Sequence, residues 1–188
     1  PLIGKSNGVV NTLRLWYAEP ADEDLPTNSD FNGYLKFIRD ITHGLYPDDS
    51  TEEGKLLRLR QQYFLVSAGM QCAINREKKI YGNLDHLYEH YVFQLNDTHP
   101  IMSIPELMRI LMDENGYGWD EAYAIVCKCF AFTNHTVMPE ALEKWPCRYI
   151  ASVAPRVYMI IEEINRRTIQ LMREKGVEES SIERSSII

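Results

Sequence analysis

The chain has 188 residues, of which 45% are hydrophobic and 25% charged, a composition typical of a globular protein with a buried core. Its formal net charge of −7 argues against a nucleic-acid partner, which would favour a basic surface. No apolar run approaches the roughly 18 residues of a membrane span, so we expect no membrane partner. The first residues of the chain do not form a basic-then-apolar leader, and its four cysteines lack zinc-site spacing, so we expect reduced thiols and a cytoplasmic location.

The residue pattern in the first third of the chain predicts a strand, a loop and a helix. Val9 to Trp16 is rich in β-branched and large apolar residues, which predicts a strand. Residues 17–30 contain two prolines and five acidic residues, which predicts a loop. From Phe31 the apolar residues follow helical spacing, at Tyr34, Leu35, Ile38 and Ile41.

A long helix is predicted next, because Ser50 followed by Glu53 forms a capping-box pattern after the break at Pro47. It should continue to about Arg76. Its apolar stripe comprises Leu56, Leu59, Tyr63, Val66, Met70 and Ile74.

The remainder of the chain alternates apolar strand candidates with helical patterns. The first part predicts a strand Tyr91–Leu95, a helix from a capping box at Ser103 and Glu106 to near Gly116, and a helix Asp120–Lys128. A strand Cys129–Thr133 and a helix from Pro139 to Trp145 follow. The last part predicts a helical pattern from Cys147 to about Lys175, with a break at Pro155, and a polar tail 176–188. This order predicts a helix-rich α/β fold over residues 1–188: a Rossmann-like parallel sheet flanked by helices, with strands buried on both faces.

Polar loops follow two of the predicted strands. The stretch QLNDTHP, residues 94–100, precedes one helix, and FTNHTVMPE, residues 132–140, precedes another. Ligands of open α/β sheets bind outside the carboxyl ends of the strands, where helix N-termini add N–H donors. Both loops carry Asn, Thr and His side chains, which would supply the donors and acceptors that a polyhydroxylated ligand needs.

A purely structural role and a metal site are alternatives for these two loops, and both stay open. The polar side chains could only cap helices and satisfy the loop backbone. A metal site formed by Asp97, His99 and His135 is possible by ligand type, although no close ligand spacing supports it. Nucleophilic catalysis has weaker support, since no elbow motif surrounds a serine or cysteine.

A set of motifs in one order resembles the α-glucan phosphorylases, which act on glycogen, starch and maltodextrin. The set comprises VVNTLRLW, LYPDDSTEEGKLLRLRQQYF, QLNDTHP, IPELMRIL, TNHTVMPEALEKWP and PRVYMIIEEINRR, over roughly residues 6–170. The resemblance implies that the chain is the later part of the N-terminal domain of a two-domain, GT-B-type glycosyltransferase. The implied reaction is phosphorolysis, in which inorganic phosphate releases terminal α-1,4-linked glucose as glucose 1-phosphate.

The resemblance also implies the residues that bind substrate. His135, with Asn134 beside it, would hydrogen-bond the 6-hydroxyl of the bound glucose. Asp49 and Ser50 would lie on a mobile gate loop. Many members carry Asn-Asp-Asn where this chain has Asp48-Asp49-Ser50; because a hydroxyl is shorter than an amide and has one donor, we do not expect Ser50 to make the amide contact to glucose. The other residues that would line the sugar pocket are Asp97, His99, Arg58, Glu143 and Ala141.

The cofactor and the subunit contact follow from the same resemblance. Family members carry pyridoxal phosphate on a lysine of the C-terminal domain, and no such lysine motif occurs in this chain. We therefore expect no catalytic residue here, and an isolated chain that binds no pyridoxal phosphate and is inactive. The parent protein would be a homodimer, with the helix around Tyr34–Thr42 matching a shortened form of the family's tower helix. The rival hypotheses are a glucan-binding module without catalysis and a scaffold fragment.

Overall fold

The structure is a computed structural model that describes residues 2–3, 8, 10–21, 30–138 and 142–188. The chain divides into two compact units, Pro1–Pro47 and Asp48–Ile188, and all the predicted site residues belong to the second. The elements of the first unit are β1 (Leu2–Ile3), β2 (Val10–Asn11) and α1 (Phe31–His43). Those of the second are α2 (Glu52–Tyr81), α3 (Leu87–His90), β3 (Phe93–Asn96), α4 (Ser103–Arg109), which continues as a π-helical turn (Ile110–Glu114), α5 (Trp119–Cys129), β4 (Phe130–Thr133), α6 (Cys147–Val153), α7 (Pro155–Glu174) and α8 (Glu179–Ser185).

In the first unit the helix prediction is confirmed and the strand prediction is largely wrong. Helix α1 begins where predicted, because the Asp30 carboxylate accepts a hydrogen bond from the Gly33 N–H at 2.8 Å. The strand β2 covers only Val10–Asn11 and pairs antiparallel with β1, whereas residues 12–20 are irregular. Among the described residues no strand pairs with residues 12–16, so their backbone cannot form a ladder.

Helix α2 begins one residue later than predicted and extends past its predicted C-terminal end. Its N-cap is Thr51, whose hydroxyl accepts a hydrogen bond from the Gly54 N–H at 3.1 Å, so the capping box of Ser50 and Glu53 is wrong. The helix passes Arg76 and ends at Gly82, which adopts the left-handed conformation at φ 80° and donates to the Lys78 carbonyl. Glycine at this position supplies the stop signal that the periodicity did not show.

The parallel sheet prediction is confirmed for β3 and β4. These strands pair in parallel register from Phe93 with Phe130 to Asn96 with Thr133, and the chain between them forms α4, the π-helical turn and α5. The second unit therefore has an α/β fold with few strand residues. The expectation of strands buried on both faces is wrong, since the side chain of Phe132 is 49% exposed: a two-stranded sheet leaves much of its surface uncovered.

The core of the second unit surrounds α4 and the π-helical turn. Their apolar side chains pack in one cluster with residues of α2, α3, α5 and α7. The core comprises Met70, Ile74, Leu84, Leu87, Leu107, Met108, Ile110, Leu111, Ala122, Ile125, Val126, Cys129 and Ile160. A second cluster joins α2 to the loop before α4 and to α6, through Leu59, Val66, Met102 and Tyr149. Through Met102 the second cluster places the segment between β3 and α4 on a packed support.

Two further helix predictions near the loops are corrected. Ser103 and Glu106 do not form a capping box, because the Ser103 hydroxyl donates to the Pro100 carbonyl at 2.6 Å and Glu106 contacts α2. The predicted start at Pro139 lies outside the described residues. Residues 142–146 are not helical, which fits the steric preference of Trp145 before Pro146 for extended backbone.

The C-terminal pattern is confirmed, with one addition. The break at Pro155 separates α6 from α7, which ends at Glu174. The tail forms α8, and its Ile182 is buried with 2% of its surface exposed. All four cysteines are described and none is in a disulfide, and no helix in the described ranges is long and apolar enough to cross a membrane.

Candidate functional site

The two polar loops meet at one edge of the sheet, as parallel pairing requires. The last paired residues are Asn96 and Thr133, and each loop begins with the next residue. The Asp97 N–H donates to the Thr133 carbonyl at 2.8 Å, which extends the ladder into the first loop. The carboxyl ends of β3 and β4 therefore present both loops side by side.

Asp97 links the two loops. Its carboxylate accepts a hydrogen bond from the backbone N–H of His135 at 2.8 Å, and the Nδ1 atom of the His135 ring lies 3.4 Å from the same oxygen. The hydrogen bond from that N–H is the main reason that the pKa of Asp97 lies below its usual value. Asp97 also adopts a left-handed backbone conformation, φ 61°, which aspartate tolerates better than most residues.

Glu143 is the centre of a second cluster, which joins three segments. Arg58 on α2 donates to its Oε1 atom from Nε at 3.0 Å and from Nη2 at 2.6 Å. Gln62, one turn later on α2, donates its amide to both carboxylate oxygens at 3.1 and 3.2 Å. The Thr98 hydroxyl, in the loop after β3, lies 3.4 Å from Oε2. The carboxylate thereby ties α2, this loop and the segment before α6 together.

The predicted gate loop lies against the first turn of α2. Asp48 accepts a hydrogen bond from the Ser50 N–H at 3.0 Å, and this contact lowers the pKa of Asp48. Asp49 lies 3.9 Å from the Nε atom of Arg58, so the loop and the Glu143 cluster share one guanidinium. Ser50 itself is exposed.

The remaining predicted residues are placed less directly. Asn134 binds its own loop, donating to the Thr136 carbonyl at 2.8 Å and accepting from the Thr136 N–H at 3.4 Å, as a loop-capping role predicts. His99 is exposed, and its charge contributes to the lowered pKa of Asp97. Ala141 lies outside the described residues.

The sequence did not single out two members of the site, Gln62 and Thr98. Gln62 stands four residues after Arg58, and that helical spacing places both side chains on one face. Thr98 lies within NDTHP, between two residues that were predicted. The described part of the chain contains no group of three residues that could hold a metal ion.

Comparison with known proteins identifies the family to which these features belong. The sequence model described as carbohydrate phosphorylase matches residues 1–188. The chain belongs to the carbohydrate phosphorylase family. This match covers both loops, the gate loop and Glu143.

Curated members of the carbohydrate phosphorylase family from distant organisms are similar to the chain. It is 46% identical over 175 residues to a glycogen phosphorylase of Bacillus subtilis, covering 93% of this chain and 22% of the relative. It is 46% identical over 182 residues to the α-glucan phosphorylase H isozyme of Vicia faba, covering 92% of this chain and 22% of the relative. It is 45% identical over 184 residues to the muscle form of human glycogen phosphorylase, covering 89% of this chain and 22% of the relative. The chain thus spans about a fifth of the length of these relatives.

Proposed function

We propose that the chain is the glucose-binding wall and gate loop of an α-1,4-glucan phosphorylase, a glycosyltransferase. The parent protein would use inorganic phosphate to release terminal glucose of glycogen or maltodextrin as glucose 1-phosphate. The observation that carries this proposal is the meeting of the loops after β3 and β4 through Asp97 and the His135 N–H, in a chain that the family matches throughout. The parent would have the two-domain, GT-B-type fold.

The polar groups of the two loops would bind and orient the terminal sugar. We assign the His135 imidazole, 56% exposed, to the 6-hydroxyl of glucose, with Asn134 beside it, and we place Asp97 and His99 along the sugar. Charged acceptors and imidazole donors suit hydroxyls, which both donate and accept hydrogen bonds. Asn134 would then act through the loop that it caps.

The Glu143 cluster would complete the pocket next to the gate. Arg58 and Glu143 hold one another, and Asp49 and Ser50 would close over the sugar from the adjacent gate loop. Closure of such a loop excludes water from the bound sugar. Ala141 is assigned to the same wall from its place in the sequence motif.

The cofactor would belong to another part of the parent protein. Pyridoxal phosphate would supply its phosphate group as a proton shuttle to the substrate phosphate. A Schiff-base lysine is favoured by a desolvated site, whereas every described lysine of this chain is exposed. The described residues therefore do not fit the cofactor, and we assign no step to it here.

The assembly and setting of the parent are part of the same proposal. We propose a cytoplasmic, allosterically regulated homodimer. Helix α1, which has no buried residue in its own unit and exposes Phe31 and Phe37, supports the assignment of a subunit contact to this helix.

The test is to express the complete reading frame that contains this chain and to measure glucose 1-phosphate formed from α-glucan and phosphate. Release that depends on pyridoxal phosphate is expected. His135→Ala and Asp97→Ala should each lower kcat/KM for glucan about ten- to a hundredfold, because each removes one polar partner of the sugar. His86→Ala is the matched control, since His86 is exposed and pairs with Glu89 on α3.

The remaining outcomes select the rival functions. A folded, cofactor-loaded parent that binds maltooligosaccharide without releasing glucose 1-phosphate would be a glucan-binding module. A parent with neither property would leave the loops as structural features of a scaffold.

A further inference from the structure

Glu106 is a fully buried carboxylate with a complete set of hydrogen-bond donors. Its Oε1 atom accepts from the Ser67 hydroxyl at 2.7 Å and from Arg109 Nη2 at 2.9 Å. Its Oε2 atom accepts from the Tyr63 hydroxyl at 3.0 Å and from Arg109 Nε at 2.8 Å. Burial, together with the Glu106 charge, raises the pKa of Tyr63 to about 12, so this hydroxyl stays a donor. A buried charge held by four directional donors has one well-defined position.

These bonds fix α2 against α4. Tyr63 and Ser67 lie on α2, and Glu106 and Arg109 lie on α4. On α2 the contact begins one residue after Gln62 and five residues after Arg58, so the same helix carries the two donors that hold Glu143.

On the other side, α4 begins directly after the loop that carries Asp97, Thr98 and His99. The Ser103 hydroxyl, in the first turn of α4, donates to the Pro100 carbonyl of this loop at 2.6 Å. Met102 packs in the cluster that contains Leu59 of α2. The path from Glu106 to the loop is therefore short and consists of packed or hydrogen-bonded groups.

We propose that Glu106 is a positioning residue that sets the distance between Arg58 on α2 and Asp97 in the loop after β3, and thereby holds the two sides of the sugar pocket in register. It contacts neither the sugar nor the reacting atoms, and it acts through Tyr63, Ser67 and Arg109. The inference rests on the proposed glucan phosphorylase function. Apolar residues of similar volume could pack α2 on α4 without the cost of burying a charge. They would form no directional bonds, however, and so would not fix the position of α2 along α4.

The experiment compares variants of the complete, cofactor-loaded parent protein. Glu106→Gln keeps the side-chain shape but puts an amide donor against the donors that now surround a carboxylate. We expect KM for glucan to rise about ten- to a hundredfold, as displacement of a binding group by about 1 Å can do, while KM for phosphate stays within about twofold. A variant that only lost stability would have less active protein, which lowers the apparent kcat and leaves both KM values unchanged.

Two milder variants keep the test decisive if Glu106→Gln does not fold. Ser67→Ala and Tyr63→Phe each remove one donor with little change of volume, and each should raise KM for glucan about two- to fivefold. Asp113→Asn is the control: it weakens the paired bonds from Arg156 on α7, at 2.7 and 2.8 Å, which involve no residue of the site. It should lower the melting temperature without changing either KM.

A double-mutant cycle separates positioning from an independent effect. If Glu106 acts through the loop, Glu106→Gln should raise KM for glucan less in an Asp97→Asn background than in the wild-type background. Unchanged KM for glucan in all the folded variants, an equal rise in Asp113→Asn, or full additivity in the cycle would overturn the inference and leave the proposed function intact. A wild-type parent without glucan phosphorolysis would refute the proposed function itself, and the inference with it.

Discussion

Gly54, in the first turn of α2, allows the gate loop to lie against the helix. A Cβ atom at this position would lie 1.7 Å from the carbonyl oxygen of Asp48, 2.8 Å from its carbonyl carbon and 3.3 Å from the Cα atom of Asp49. All three are backbone atoms, so a change of side-chain rotamer cannot relieve these clashes. Gly54→Ala must therefore displace the gate loop or the start of the helix.

The sign of the effect on stability depends on two opposing contributions. Alanine is favoured over glycine inside a helix by about 1 kcal/mol. Inserting a group into a packed site costs about 1–3 kcal/mol, and a contact of 1.7 Å falls at the upper end of that range. Displacement would also weaken the bond from the Gly54 N–H to the Thr51 hydroxyl, a cap of about 1 kcal/mol. Gly54→Ala should lower the free energy of unfolding by about 1–3 kcal/mol.

Gly69 provides a matched control on the same helix. A Cβ atom there would meet no atom within 4 Å, so Gly69→Ala should increase the free energy of unfolding by about 0.5–1 kcal/mol. Urea unfolding of both variants and the wild type measures the difference, and titration of the parent protein with maltooligosaccharide tests the gate. We expect weaker sugar binding in Gly54→Ala alone. If Gly54→Ala is as stable as Gly69→Ala, the close packing of the gate loop on α2 is refuted.

Further substitutions, at Asp97, His90, Glu77 and Leu107, and one titration test particular contacts. Asp97→Ala should unfold at a lower temperature than Asp97→Asn, because asparagine tolerates the left-handed backbone at this position and can accept the bond from His135; equal melting temperatures would contradict this. The pKa of Asp97 is lower in the folded chain than in the unfolded chain. The stabilising effect of its carboxylate is therefore complete above the unfolded pKa of about 3.9 and is lost as the pH falls through the lower folded pKa. The NMR shift of the His135 amide proton should titrate below about pH 4, and a midpoint above that pH would refute the contact. The Nδ1 atom of His90 lies 2.6 Å from the buried Glu77 carboxyl, whose other oxygen has no hydrogen-bond partner in the described structure. His90→Ala should therefore lower the free energy of unfolding in urea by about 1–3 kcal/mol, and the double variant with Glu77→Leu should recover much of this stability. Leu107→Ala, at a fully buried position, should cost about 2–5 kcal/mol in the same assay, and a loss below about 1 kcal/mol would show that α4 is not central to the core.

The sequence predicted the elements that local patterns define. Helical spacing of apolar residues predicted α1 and α2, and the break at Pro155 predicted the division between α6 and α7. The pattern failed where a partner was needed: Leu13 and Leu15 were predicted in a strand, but they are exposed because no described strand pairs with them. The start of α2 was misplaced by one residue because Ser50 and Thr51 are both favoured as N-cap residues, and the sequence does not show which one caps the helix.

The site was predicted in part. Asp97 and His135 are brought together as expected, because parallel strands place the residues that follow them at one edge. Asn134 instead caps its own loop, and Gln62 binds Glu143 although no distinct motif marks it in the sequence. The contact between Gln62 and Glu143, which are 81 residues apart, depends on how α2 packs, and local periodicity does not encode this.

The sequence by itself determined the family, the alternation of strands and helices, and the polar loops at the strand ends, since these depend on residue type and on spacing within one segment. Only the tertiary structure decided which polar side chains hold one another. Glu106 was predicted to cap a helix by its position after Ser103, but it is buried against Tyr63 and Ser67 of α2. In the unfolded chain this carboxylate is hydrogen-bonded to water. Packing removes that water, so the buried position requires donors from a distant helix in its place.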